Sequence, residues 1–136
     1  MRTVAEKLGV KAGISCILMH APAGIFEELS LPEVALKKKL QGAIDYIHLF
    51  VKNEAEFHEQ FPKAKEHLKE GGMLWLSWPK AGKMDTDLTL TRIIKIGYDY
   101  GLVESKVVSI NDTWSAIKFT HPKKGKEYNN SYGSLK

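Results

Sequence analysis

Three apolar runs constrain this chain most: Ile14-Ser-Cys-Ile-Leu-Met19, Ile44 to Val51, and Met73-Leu-Trp-Leu-Ser-Trp78. None alternates strictly between apolar and polar positions. A strand with one solvated face would alternate, so continuous runs belong to strands covered on both faces. That cover requires helices above and below a mostly parallel sheet. The segments between the runs supply them. His20-Ala-Pro-Ala-Gly24 reads as a turn, and Ile25 to Leu29 as a short helix that Pro32 closes. Asn53 is an N-cap residue with an acid, Glu56, three positions on. Phe57, Phe61, Ala64 and Leu68 then recur at helical spacing. Pro62 is expected to kink or split that helix, and Gly71-Gly72 to end it.

The second half continues the pattern. Pro79 to Met84 reads as a loop, and Asp85-Thr86-Asp87 as caps for a helix with Leu90, Ile93, Ile94 and Gly97 inward. Gly101 stops it. Val103 to Ile110 and Trp114 to Thr120 read as strands joined through Asn111-Asp112-Thr113 in a hairpin. Val34 to Leu40 fits either an edge strand or a helical turn, with strand the better match. The expected fold is α/β: a small Rossmann-like three-layer sandwich, mostly parallel, with a C-terminal antiparallel hairpin. It should occupy residues 1–120 as one domain, with 121–136 as a basic, flexible tail.

Charge supports that division. The net charge is +4, but Lys123, Lys124, Lys126 and Lys136 against Glu127 place +3 of it in the tail, leaving +1 for the body. Nucleic acid is therefore not an expected partner: the body has no basic stripe interleaved with aromatics. Lys37-Lys38-Lys39 reads as a solvated edge. No run approaches the roughly 20 residues of a membrane span, and MRTVAEKLGVKAG does not resemble a secretory signal. Cys16 is the only cysteine and lies within an apolar run, so it reads as inert packing in a reducing, cytoplasmic setting.

In such sheets ligands bind beyond the carboxyl ends of the parallel strands. The first strand delivers His20, Ala21, Pro22 and Gly24 to that rim. The second delivers Lys52 and Asn53, and the third Ser77, Trp78, Pro79 and Lys80. If the strand from Val103 is parallel too, its hairpin adds Asn111, Asp112, Thr113 and Trp114. The candidate ligand-binding set is His20, Gly24, Trp78, Lys80, Asp112 and Trp114. Each has a structural alternative. Trp78 and Trp114 can cap the core, Lys80 can be a solvated loop lysine, and His20 can order its turn. His48 reads as structural, and His58 and His67 as solvated. No spacing of His, Cys, Asp and Glu resembles a metal site, and no Walker loop, GxSxG or GxGxxG is present.

Two resemblances add to this. Lys11-Ala-Gly-Ile-Ser-Cys-Ile-Leu-Met-His-Ala-Pro-Ala-Gly24 resembles the first strand and glycine loop of class I S-adenosylmethionine-dependent methyltransferases. Leu68-Lys-Glu-Gly-Gly-Met-Leu-Trp-Leu-Ser77 is similar to the "LKPGGRLVIS" segment of that fold, and Tyr100-Gly-Leu-Val103 with the closing hairpin to its last helix and strands. The departures fall on the cofactor site: Leu18 replaces the strand-end acid, and His20 and Pro22 replace loop glycines. Only about 20 residues separate Gly24 from Ile44, too few for the units that carry the ribose-binding acid. The resemblance implies a reduced relative. The Trp-Pro-Lys loop, Thr-Asp-Leu-Thr helix start and Trp-Ser hairpin also resemble a small bacterial family of uncharacterised Rossmann-like proteins. The expected function is binding of a small anionic ligand or a protein partner at the sheet's carboxyl face, without catalysis. The alternative is a methyltransferase with S-adenosylmethionine in a minimal site.

Overall fold

The computed structural model describes residues 3–123, 128–130 and 133–135. The elements run α1 (Val4–Leu8), β1 (Ser15–Met19), α2 (Ile25–Leu29), β2 (Ala35–Leu36), β3 (Ile44–Phe50), α3 (Glu54–Glu66), β4 (Leu68–Pro79), α4 (Leu90–Asp99), β5 (Val103–Ser109), β6 (Trp114–Thr120), β7 (Tyr128–Asn130) and β8 (Gly133–Leu135). Six strands form one sheet in the order β2-β1-β3-β4-β6-β5. β1 to β4 are parallel, and β6 runs antiparallel to both its neighbours. β5 therefore points the same way as β4, which brings its hairpin to the carboxyl rim. Residues 34–40 resolve as an edge strand of two residues.

The apolar runs are buried as their lack of alternation requires. On one face Ile47, Leu49, Leu74, Leu76 and Trp78 pack against Phe57, Phe61 and Ala64 of α3 and Ile93 and Ile94 of α4. On the other, Tyr46, Phe50, Trp75 and Trp114 pack against Leu8 of α1 and Ile25 and Leu29 of α2. Each such aromatic or aliphatic side chain contributes about 1.5–3 kcal/mol. No helix among the described residues is long and apolar enough to cross a membrane. Of the expected tail, 121–123 follow β6 and β7 pairs with β8; 124–127, 131, 132 and 136 lie outside the described residues.

Several local expectations are corrected. α3 is one helix through Pro62, with its cap Asn53 accepting from the Glu56 N–H. It ends at Glu66, so Leu68 belongs to β4 rather than to the helical stripe. Gly71-Gly72 also lies within β4, where the pairing skips from Ile44–Leu68 to Tyr46–Met73. Gly72 is obligatory there, because a Cβ would meet the carbonyl oxygens of Asp45 and Lys69 at 2.9 Å. The cap of α4 is Thr89, not the Asp85–Asp87 segment. Asp87 instead accepts the Glu54 N–H with its Oδ1 at 2.9 Å, capping α3. Leu90 is exposed, and Leu88 fills the core in its place.

Candidate functional site

The chain passes from β1 outward to β2 and then returns to lay β3 on the opposite side of β1. The β1 exit leads to α2 on one face, and the β3 exit leads to α3 on the other. The strand order reverses between them, which is where an open α/β sheet leaves a crevice. A pocket of about 380 Å³ lies there. His20, Ala21 and Pro22 form one wall, Lys52 and Glu56 the other, and Phe50, Trp114 and Met84 complete it.

Local structure explains these positions. His20 ends β1 at φ 56°, a left-handed conformation that a residue with a Cβ adopts at a cost. The turn thus keeps a glycine-like backbone while presenting an imidazole. Beyond β3, the Lys52 N–H donates to Glu56 Oε1 at 2.8 Å and the Glu56 N–H to Asn53 Oδ1 at 2.9 Å. These bonds hold the first turn of α3 beside the pocket. The Lys52 ammonium has no ion-pair or hydrogen-bond partner among the described residues. Trp114 meets the Phe50 ring edge-on, with centroids 5.3 Å apart. No acceptor among the described residues takes its indole N–H, and since no buried side-chain nitrogen there lacks a partner, that N–H is open to solvent at the pocket although the ring is largely buried.

Beneath Phe50 lies a polar layer. The His48 ring stacks on Phe50 at 4.5 Å, receives or gives a 2.6 Å bond at Nδ1 with the Tyr46 hydroxyl, and another at Nε2 with Ser77 Oγ. Burial pushes the His48 pKa down to about 3, so the ring is neutral. Burial also holds the Tyr46 hydroxyl well above its ordinary value. Tyr46, His48 and Ser77 are fully buried, so this chain of hydroxyl, imidazole and hydroxyl orders the sheet beneath the pocket. Cys16, on the same face, is pushed up to about 12 by burial and stays a thiol.

Of the residues singled out by sequence, His20 and Trp114 come together in the pocket. The other four do not line it. Trp78 is buried on the opposite face of the sheet, against the α3 and α4 core. This follows from β4 alternation: Trp75 and Ser77 point one way, Leu76 and Trp78 the other. Lys80 donates from Nζ to Ser109 Oγ at 2.7 Å and from its backbone N–H to Thr113 O. Asp112 contributes its carbonyl oxygen to Lys83 Nζ at 2.7 Å. These bonds strap the Trp-Pro-Lys loop to the β5–β6 hairpin. Gly24 opens α2 at φ 81°. Lys52 was legible as a rim residue. Glu56, Phe50 and Met84 were not read as pocket residues: Glu56 resembled a cap partner, Phe50 a core position, and Met84 reaches the pocket only through the loop's fold. His58 and His67 are not simply solvated, since His58 Nδ1 pairs with the Tyr100 hydroxyl at 2.7 Å and His67 Nδ1 with Gly42 O at 2.8 Å. Among the described residues no group of three or more His, Cys, Asp or Glu could hold a metal ion.

The fold is Rossmann-like and resembles that of methyltransferases of known structure. The ribosomal protein L11 methylase of Lactobacillus delbrueckii subsp. bulgaricus is similar at a TM-score of 0.60 and 13% identity, over 88% of this chain and 75% of that one. The magnesium protoporphyrin IX methyltransferase of Synechocystis PCC 6803, solved with bound SAM, is similar at 0.60 and 11%, over 88% and 76%. The precorrin-6y C5,15-methyltransferase of Geobacter metallireducens GS-15 gives 0.56 and 13%, over 88% and 86%. At these identities the likeness is one of fold. No curated protein matches the sequence. The chain belongs to the family described as protein of unknown function (DUF3052), which matches residues 30–123.

Proposed function

We propose that this chain is a binding module that takes a small anionic ligand in the pocket between His20, Lys52 and Trp114, without itself catalysing a reaction. The observation that carries this reading is the unpaired Lys52 ammonium at the strand-order reversal, beside an indole N–H that has no acceptor. An ammonium and an N–H suit a carboxylate or phosphate, and the Trp114 and Phe50 rings suit an apolar body attached to it. Within this set Glu56 selects against a second negative charge on its side. His20 and Trp114 act as ligand contacts. Trp78, Lys80, Asp112 and Gly24 act as scaffold for them.

A thermal-shift panel of nucleotides, acyl carriers and S-adenosyl compounds tests this. At least one should raise the melting temperature of the wild type and of Lys80→Ala, and fail to do so in Lys52→Ala. No shift with any compound removes the small-ligand reading and leaves a protein partner at this face.

A second reading, methyl transfer from S-adenosylmethionine, draws support from the fold likeness. The residues at the rim do not fit that cofactor as the resemblance leads one to expect. Pro22 offers no N–H, His20 stands at a glycine-like φ, and the short β2 leads into Lys37-Lys38-Lys39 rather than an acid. Calorimetry with S-adenosylhomocysteine decides the matter: absence of binding at millimolar concentration ends this reading.

A further inference from the structure

The opposite end of the sheet carries a second feature, independent of the rim. Lys118 on β6 stands directly across from Lys106 on β5 and from Trp75 on β4. Cross-strand partners share a face, and like charges directly opposite are unfavourable. Trp75 fixes which face this is, since its indole donates to Leu8 O of α1 at 3.0 Å. Lys106 Nζ is drawn to Lys7 O of the same helix at 2.7 Å. Lys11 arrives from the α1–β1 connection, so three segments distant in sequence bring lysines to one place. None of the ion pairs among the described residues involves Lys11, Lys106 or Lys118. Asp45, the carboxylate among the described residues that line a crevice there, is already engaged: it accepts from the Ser15 N–H and hydroxyl at 3.0 and 2.9 Å and faces Lys69 at 3.4 Å.

Between Lys11 and Lys118 lies this crevice of about 220 Å³, lined in part by Gly9, Gly71 and Gly72, with Asp45 also on its wall. Gly9 and Gly71 have open space where a Cβ would sit, and Gly72 admits none. The volume is below the roughly 300–1,000 Å³ of pockets that enclose drug-sized ligands. It suits a compact, highly charged group approached closely by backbone and flanked by two point charges. We propose that this crevice is a second binding site, holding the phosphate group of a small phosphorylated compound between the ammonium groups of Lys11 and Lys118. The bound anion also relieves the repulsion between Lys106 and Lys118.

The full chain, labelled with nitrogen-15, is titrated with inorganic pyrophosphate at constant ionic strength, with sodium chloride as control. Saturable amide shifts are expected at Gly9, Lys11, Gly71, Gly72 and Lys118, with affinity at least fivefold weaker in Lys118→Met. The methionine keeps the apolar stem and removes the charge opposite Lys106, so its melting temperature should equal or exceed that of the wild type. Shifts that chloride reproduces, an unchanged affinity in Lys118→Met, or a wild-type map centred on His20 and Lys52 would each overturn the proposal, the last without any variant. A parallel titration with a short single-stranded oligoribonucleotide separates the sources of phosphate. Binding tenfold tighter than pyrophosphate at the same amides contradicts a small-ligand site and makes this face a nucleic-acid surface. The rim reading stands or falls separately, on Lys52→Ala.

Discussion

A neutral imidazole in the centre of a sheet makes stability depend on pH. His48 is fully buried with both nitrogens bonded, and its pKa falls from 6.5 to about 3. The unfolded chain therefore takes up a proton near pH 6.5 that the folded chain refuses. Stability from this group is complete above pH 6.5 and declines as pH falls toward 3, by about 1.4 kcal/mol per unit. The carboxylates with lowered values, Asp45 and Glu54, lose their contributions only at lower pH, below their ordinary range near 4. Urea unfolding at pH 7, 6 and 5 should show a decline of about 2 kcal/mol across the two units, most of it between pH 6 and 5, and a flat profile contradicts the assignment. The structural role of His48 was legible, because a histidine inside an apolar run has nowhere polar to go. The bonds of His58 and His67 were not, because Tyr100 and Gly42 lie 42 and 25 residues away along the chain. Trp78 shows a different limit. Its place at a strand end was legible, but which face its ring takes depends on the register of β4 against β3 and β6.

Helices here are held by partners that sequence spacing does not reveal. α3 has two caps from different parts of the chain: Asn53 accepts the Glu56 N–H and Asp87 the Glu54 N–H. The first was legible as an N-cap three residues before an acid. The second was misassigned to α4 because an acid just before an apolar stripe looks like a local cap. Asp87→Ala should cost about 0.5–1 kcal/mol in urea unfolding, whereas Asp87→Asn, which keeps an acceptor, should be close to neutral. α4 gives the clearest conflict between propensity and packing. Alanine is normally about 1 kcal/mol better than glycine in a helix. At Gly97, however, a Cβ would overlap the Phe119 ring of β6. Gly97→Ala should therefore destabilise the protein, by about 1–3 kcal/mol, and a stabilised variant would mean that α4 does not sit against β6 as described. α1 went unread although Thr3 and Glu6 form a capping box, because five residues carry too little periodicity to register. Gly71-Gly72 reads as a helix end, since two glycines in succession commonly stop a helix. Here they absorb a register shift between parallel strands.

For the molecule as a whole, the sheet and its layers were legible because three unbroken apolar runs admit few arrangements. The candidate site was half legible. The rim rule selects residues by strand end, and His20, Lys52 and Trp114, which it selected, do line one pocket at that lip of the sheet. It does not say which face of the sheet each side chain takes, and this is why Trp78 and Trp114, both at that lip, lie on opposite sides of the sheet. The three tryptophans turn that difference into a direct test. Trp75 donates its indole N–H to Leu8 O, Trp78 belongs to the α3 and α4 core, and Trp114 alone lines the rim pocket. The chain should give three indole N–H resonances in a nitrogen-15 correlation spectrum. The measurement is their response to the most stabilising compound of the thermal-shift panel. The Trp114 resonance should move saturably, with Trp75 and Trp78 left in place. Movement of Trp78 with Trp114 unchanged would put the ligand on the wrong face of the sheet and contradict the pocket.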